Sequence, residues 1–270
     1  MKWPAPLAVP RSRCLAASVL LLSLLLVSCQ KEEDRIVEQT FKQTCKVNPN
    51  ARISIKNLEG SIHIYGSGTN EVRIEAIKQA YQRDRLEKIT INVAAQPDSV
   101  SIDTSFPPKP KLGLSDRSGT VDYYIVVPQS CTISRLDLGN GEVVIEGMRV
   151  GRVNANLVNG RLYERNCFGP HQLFVANGAI DFTYDWWEAG KFSIDATIVH
   201  GNARAFIPGD ASFQLLASTD NGKISSDFSA GEEGRSGRSQ KLDTMVGDSS
   251  SIVLKIHATN GNIRVAEANP

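Results

Sequence analysis

Histidine is scarce in this 270-residue chain, which has four, and none stands in a Cys/His cluster at metal-ligand spacing. A zinc site of the usual tetrahedral kind is therefore not written into it, and no metal or other cofactor is expected. Charge of one sign is missing too: 30 basic residues face 29 acidic ones, a balance without the basic excess of a nucleic-acid partner. There is no nucleophile elbow, no phosphate loop and no calcium-binding nonapeptide. Nor does any amphipathic stretch reach useful helical length, which excludes helix bundles and alternating α/β folds.

What the chain has in quantity is one short phrase, a glycine usually preceded by Asn. It occurs at Gly60, Gly141, Gly160, Gly178, Gly201, Gly222 and Gly261, and Asn140, Asn159, Asn177, Asn221 and Asn260 precede five of them. From Gly141 onward the spacings are 19, 18, 23, 21 and 39 residues. Such self-similarity marks stacked supersecondary units. Two places beyond each glycine stand Ile62, Val143, Leu162, Ile180, Ala203, Ile224 and Ile263. Five places before it stand Ile55, Leu136, Ala155, Leu173, Ala196, Ala217 and Ile256. Seven places before it the pattern holds except at Ser134 and His171. With a step of two between apolar positions, each copy reads as strand, corner, strand with one face buried.

Asn-Gly pairs two residues that tolerate positive φ, as a sharp corner requires. A parallel solenoid would stack equivalent glycines; an antiparallel array would use the same dipeptide as a type I′ hairpin. The pattern fits both. They differ in that consecutive glycines would be about 5 Å apart in a stack and about twice that in a hairpin array.

The N-terminus carries Lys2, Arg11 and Arg13, then an apolar run from Leu15 to Val27 too short to span a bilayer as a mature helix, closing on Leu26-Val27-Ser28-Cys29. This resembles a bacterial lipobox. The resemblance implies cleavage of residues 1–28, lipidation of Cys29 and attachment to a membrane by acyl chains, more than one of which suffices for stable anchoring. Gln30 follows where Asp would favour inner-membrane retention, so the expected location is the outer membrane of a bacterial envelope. Removing the leader leaves 27 basic and 29 acidic residues, about −2. Cys14 departs with the leader and Cys29 is consumed, so Cys45, Cys131 and Cys167 remain, an odd set. Cys131 and Cys167 hold similar places in copies two apart, about 10 Å in a stack, too far to bridge.

The segments VDYYIVVP (121–128), LGNGEVVIEG, LVNGRLY, VANGAIDF, ASTDNGKISSDF and IHATNGNIRVAEA together resemble the bacterial putative adhesin family, over about Ile53 to Ala266. That resemblance implies a single-stranded parallel β-helix, all-β, with coils of about 18–23 residues, and brings no catalytic residues. His200-Gly201 and the long gap between Gly222 and Gly261 depart from the family pattern.

Residues 29–48 then read as the lipidated cysteine, a polar tether and a cap, and 49–270 as the solenoid domain, with loops at 105–120 around Pro107, Pro108 and Pro110 and at 229–251 in a Gly/Ser-rich stretch. No column of acids emerges at the outward positions, so catalysis is not expected, and a carbohydrate-active β-helix enzyme stands as the alternative. An accessory of an envelope-stress or sensory system is a further one. For recognition of a protein or polysaccharide partner, the candidates are Tyr184, Trp186 and Trp187, in the 23-residue copy. The competing reading has one Trp covering an open edge of the coil. The corner residues Asn140, Gly141, Asn159, Gly160, Asn177, Gly178, Asn221, Gly222, Asn260 and Gly261 carry a structural role.

Overall fold

Around each corner the apolar register changes phase, and this bends the chain without turning its greasy side outward. In the copy around Gly160, Val153, Ala155 and Leu157 are buried at odd offsets before the glycine, while Leu162 and Glu164 are buried at even offsets after it. A flat strand would have sent one of these sets to solvent.

The computed structural model describes residues 35–110, 116–228, 234–236, 238–248 and 251–268, and all of these except Arg35 fall in one unit, 36–270. The leader and Cys29 lie outside the described residues. In chain order the elements are Val37–Lys46 (β1), Arg52–Ser67 (β2), Glu71–Ala80 (β3), the short helix Arg83–Glu87 (α1), Thr90–Gln96 (β4), Ser99–Ser105 (β5), Thr120–Pro128 (β6) and Thr132–Glu146 (β7). There follow Val153–Arg165 (β8), His171–Thr183 (β9), Ser193–Pro208 (β10), Phe213–Asn221 (β11), Ile224–Ser226 (β12), Gly234–Ser236 (β13), Ser239–Val246 (β14), Val253–Asn260 (β15) and Ile263–Ala268 (β16).

These strands form one mixed sheet. Its middle is parallel: β2, β7, β8, β9 and β10 lie side by side in that order, then β15 with β16, then β11 with β12. Gly60 pairs with Gly141, Gly141 with Gly160, Gly160 with Gly178 and Gly178 with Gly201. Asn-Gly hairpins are thereby excluded, since the dipeptide lies inside or at the end of strands that pair in parallel. The expectation of a uniform parallel β-helix is corrected as well. Antiparallel strands flank the stack, β6 with β3 and β1 at one end, with β4 on β5, and β14 with β13 at the other. The spatial order also departs from chain order, because β15 and β16 enter between β10 and the pair β11 and β12.

The 39-residue gap explains that order. Within the stretch read as a loop at 229–251, β14 buries Leu242 and Val246 and pairs along β11, covering an edge that would otherwise stay open. Of the stretch read as tether and cap, Val37–Lys46 enters the sheet as the edge strand β1, its pairing with β3 running without interruption.

Asparagine at the corner does a different job from the one expected. Gly60, Gly141, Gly160, Gly178 and Gly201 take φ between 120° and 143°, whereas outside glycine only Val150 and Asn166 among the described residues have positive φ at all. The asparagines instead bond along the stack. Asn177 donates its amide to Asn159 Oδ1 at 2.9 Å, Asn159 to Asn140 Oδ1 at 2.7 Å, and Asn140 to Glu59 Oε1 at 3.1 Å. Asn221 donates to Asn260 Oδ1 at 3.0 Å, and His200 replaces Asn in the row facing Asn260 at 3.3 Å. The three cysteines are free, Cys131 and Cys167 buried, and burial pushes the Cys131 thiol up to about 12.

Gly160→Ala places a Cβ on a positive φ and onto the Gly141 carbonyl oxygen, so the expected loss of stability is about 3 kcal/mol or more. Asn159→Ala removes a donor and an acceptor from an exposed ladder and should cost about 1 kcal/mol. Urea unfolding midpoints of the two variants measure the contrast.

Candidate functional site

The connection between β7 and β8 runs from Gly147 to Arg152 and that between β8 and β9 from Asn166 to Pro170; these short turns stack on one another. Phe168 N donates to Met148 O at 2.9 Å and Val150 N to Phe168 O at 2.8 Å. Val150 is held at φ 67° and is 80% exposed, an uncommon state for a β-branched residue. The next connection, between β9 and β10, belongs to the 23-residue copy. Its extra residues cannot fit within the height of one strand, and they fold back over the two shorter turns.

That overhang is tied down by aromatic packing. Trp187 is half-buried, with its ring 5.1 Å from Tyr184 and 5.5 Å from Phe213, and its Nε1 donates to Ser212 O at 3.2 Å. Tyr184 is buried, its hydroxyl donating to Cys167 O at 3.1 Å, and burial holds that phenol well above its ordinary range. Trp186 stays 44% exposed, 6.1 Å from the Phe168 ring, with Nε1 donating to Glu188 Oε1 at 2.8 Å. Glu188 also accepts from Arg149 at 2.7 Å, and the Arg149 guanidinium lies over Phe168 at 5.8 Å. The three aromatic residues singled out from sequence thus divide: Tyr184 and Trp187 fasten the long turn, and Trp186 faces solvent.

Under the overhang opens a recess of about 400 Å³ whose lining includes Ser130, Arg149, Val150, Phe168, Lys191 and Phe192. Its wall is mostly apolar, with one ion pair and one further cation at the rim, a composition suited to holding a ligand by contact area and orienting it by a few polar groups. Among the described residues, no group of three or more His, Cys, Asp or Glu could hold a metal ion.

Other carboxylates that might serve chemistry are already engaged. Asp181, buried on the strand face after the corner, accepts from Arg161 Nε at 2.6 Å and from Arg204 Nε at 2.6 Å, and this bond raises the Arg204 guanidinium further. Asp185 accepts from Asn166 at 2.9 Å and from Arg165 at 2.7 Å, and both hold its carboxyl below the usual range.

The sequence reading missed one buried pair. His171, one of the two breaks in the apolar column, is 1% exposed, and its Nδ1 lies 3.1 Å from Glu164 Oε2, itself 1% exposed. The signal was present as two exceptions to the apolar register: His171 breaks the column seven before Gly178, and Glu164 breaks the column four after Gly160, where Ile64, Ile145 and Phe182 stand in other copies. Two exceptions in neighbouring copies compensate each other because the strands carrying them are adjacent.

No family model matches the chain, and no curated protein matches it. Among solved structures it is similar to a putative cell adhesion protein from Clostridium sporogenes, at 14% identity and TM-score 0.41 over 85% of this chain and 100% of the other. It is similar also to a putative adhesin from Bacteroides fragilis, at 12% identity and TM-score 0.23 over 85% and 97%. A putative adhesin from Parabacteroides distasonis follows at 8% identity and TM-score 0.22 over 84% and 97%.

Removing one member of the Glu164 and His171 pair strands the other in the core, so Glu164→Leu or His171→Leu alone should each cost about 3 kcal/mol. The double variant, which leaves no unmatched polar group, should cost less than the two singles together by about 1–3 kcal/mol. A double-mutant cycle in urea measures the difference.

Proposed function

We propose that this chain is a non-enzymatic binding protein of the bacterial cell envelope, an adhesin or interaction scaffold, held to a membrane by lipid on Cys29. Its parallel strands are read as the coils of a β-solenoid, and the antiparallel strands at the two ends as its caps. The recess beneath the long turn is read as the recognition site for a surface partner, protein or polysaccharide.

One observation carries this reading. The long connection between β9 and β10 uses its extra residues to hold an indole, Trp186, in water beside a recess, while Trp187 and Tyr184 supply the packing that keeps it there. Leaving a large aromatic surface exposed is costly unless something covers it. For an envelope-stress or sensory accessory the same site would face a neighbouring membrane protein. The carbohydrate-active enzyme finds less support, because Asp181 and Asp185 are each held by guanidinium groups. The lipid anchor is supported by Leu26-Val27-Ser28-Cys29 alone.

Trp186→Ala should abolish capture of the partner from envelope extract while moving the unfolding midpoint by less than about 0.5 kcal/mol. Trp187→Ala should instead destabilise the protein by about 3 kcal/mol, because it empties packing against Tyr184 and Phe213. Retained capture in Trp186→Ala would remove the recognition reading. Separately, Cys29→Ser should abolish incorporation of a labelled fatty acid and move the chain from the membrane pellet to the soluble fraction.

A further inference from the structure

A larger concavity than the recess lies on the outward face of β7 to β10, in the halves that precede the corner. Its volume is about 650 Å³, and it shares no lining residue with the recess under the long turn. Two outward rows cross it from strand to strand. Six places before the corner glycines the paired residues Asn154, Gln172 and Asp195 stand side by side, with Arg135 on β7 lining the same hollow. Four places before them stand Asp137, Asn156, Phe174 and Thr197.

Charge in this hollow is cancelled where it arises. Arg135 pairs with Asp137 on its own strand, and Asp195 accepts from Lys255 Nζ at 3.0 Å. A ligand held chiefly by its charge would find no net field here, which argues against phosphate, uronate or nucleic acid. Hydrogen-bonding capacity is plentiful. Asn156 donates to Asp137 Oδ1 at 3.0 Å and Asn154 to Ser134 O at 3.1 Å, so both amides are held in place with their remaining donors and acceptors unspent on that contact. Asn154 Oδ1 is buried and offers nothing to a ligand, but among the described residues neither the Gln172 amide nor the Thr197 hydroxyl bonds to another residue.

At the centre of this polar field sits one aromatic ring. Phe174 is 39% exposed and lies between Asn156 and Thr197 on the neighbouring strands, about 4.8 Å to either side. An apolar platform with amides, a hydroxyl and neutralised carboxylates around it complements a molecule with a C–H face and a rim of hydroxyl groups. The platform stands on central strands whose backbone groups are already paired on both sides, so no peptide strand can add there. That rigidity also lowers the ordering cost of binding.

We infer that the face of β7 to β10 around Phe174 is a binding site for a neutral oligosaccharide, which stacks a sugar ring on Phe174 and bonds its hydroxyls to Asn156, Gln172 and Thr197. The site is independent of the recognition reading at Trp186, and the two can fail separately.

The test applies the full chain to a printed panel of neutral and acidic glycans. Neutral glycans are expected to be retained, and Phe174→Ala to weaken that retention at least tenfold. Asn156→Ala should weaken it as well, and Phe174→Trp should preserve it. Urea midpoints confirm that each variant is folded, and Phe174→Ser takes the place of Phe174→Ala if that variant does not fold. Retention of acidic glycans alone, retention of none, or retention unaltered by loss of the Phe174 ring would overturn the assignment.

Discussion

The tightest constraint in this molecule is the approach of one backbone to the next at the corner. The position a Cβ would occupy on Gly141, Gly160, Gly178 or Gly201 is taken by the carbonyl oxygen of the glycine in the preceding strand. No residue with a side chain can satisfy both that approach and the positive φ. Once these glycines are in register, the neighbouring positions follow, because every paired strand must bring its apolar columns to the same height. Ile62, Val143, Leu162, Ile180 and Ala203 then form one buried row and the asparagines a hydrogen-bonded row outside.

Variation is confined to places where that constraint is silent. The connections opposite the glycine row can lengthen, since they meet only the turns beside them. In the 23-residue copy the lengthening supports an exposed indole and walls a recess, and in the 39-residue gap it supplies a strand that closes an edge. The outward positions before the corner are equally unconstrained, and there four successive strands carry amides, paired charges and one aromatic ring without disturbing the core. Surface composition and core packing are therefore separable over most of the molecule. Glu164 and His171 are the exception, since each is tolerated only through the other.

Much of this architecture is legible in the order of residues, and the reason is local. Residue spacing reports burial directly when strands repeat, so the apolar columns and the corner glycines could be drawn from the chain alone. The role of asparagine could not, because a ladder bond joins residues 18 or 19 apart in different strands, and the local preference of Asn for left-handed backbone offered a sufficient but incorrect account. The same holds for β1 and β14, whose polar alternation looks like linker until a partner strand is beside it.

Backbone preference and the two-residue period of a strand were enough to establish that the chain is all-β, that its copies meet at glycine corners, and which side chains face inward. Pairing across the molecule settled the rest: the direction of the strands, the insertion of the last two between β10 and β11, and the division of labour between Trp186 and Trp187. Those outcomes rest on which distant strand covers a given edge, and no local preference of a residue records that.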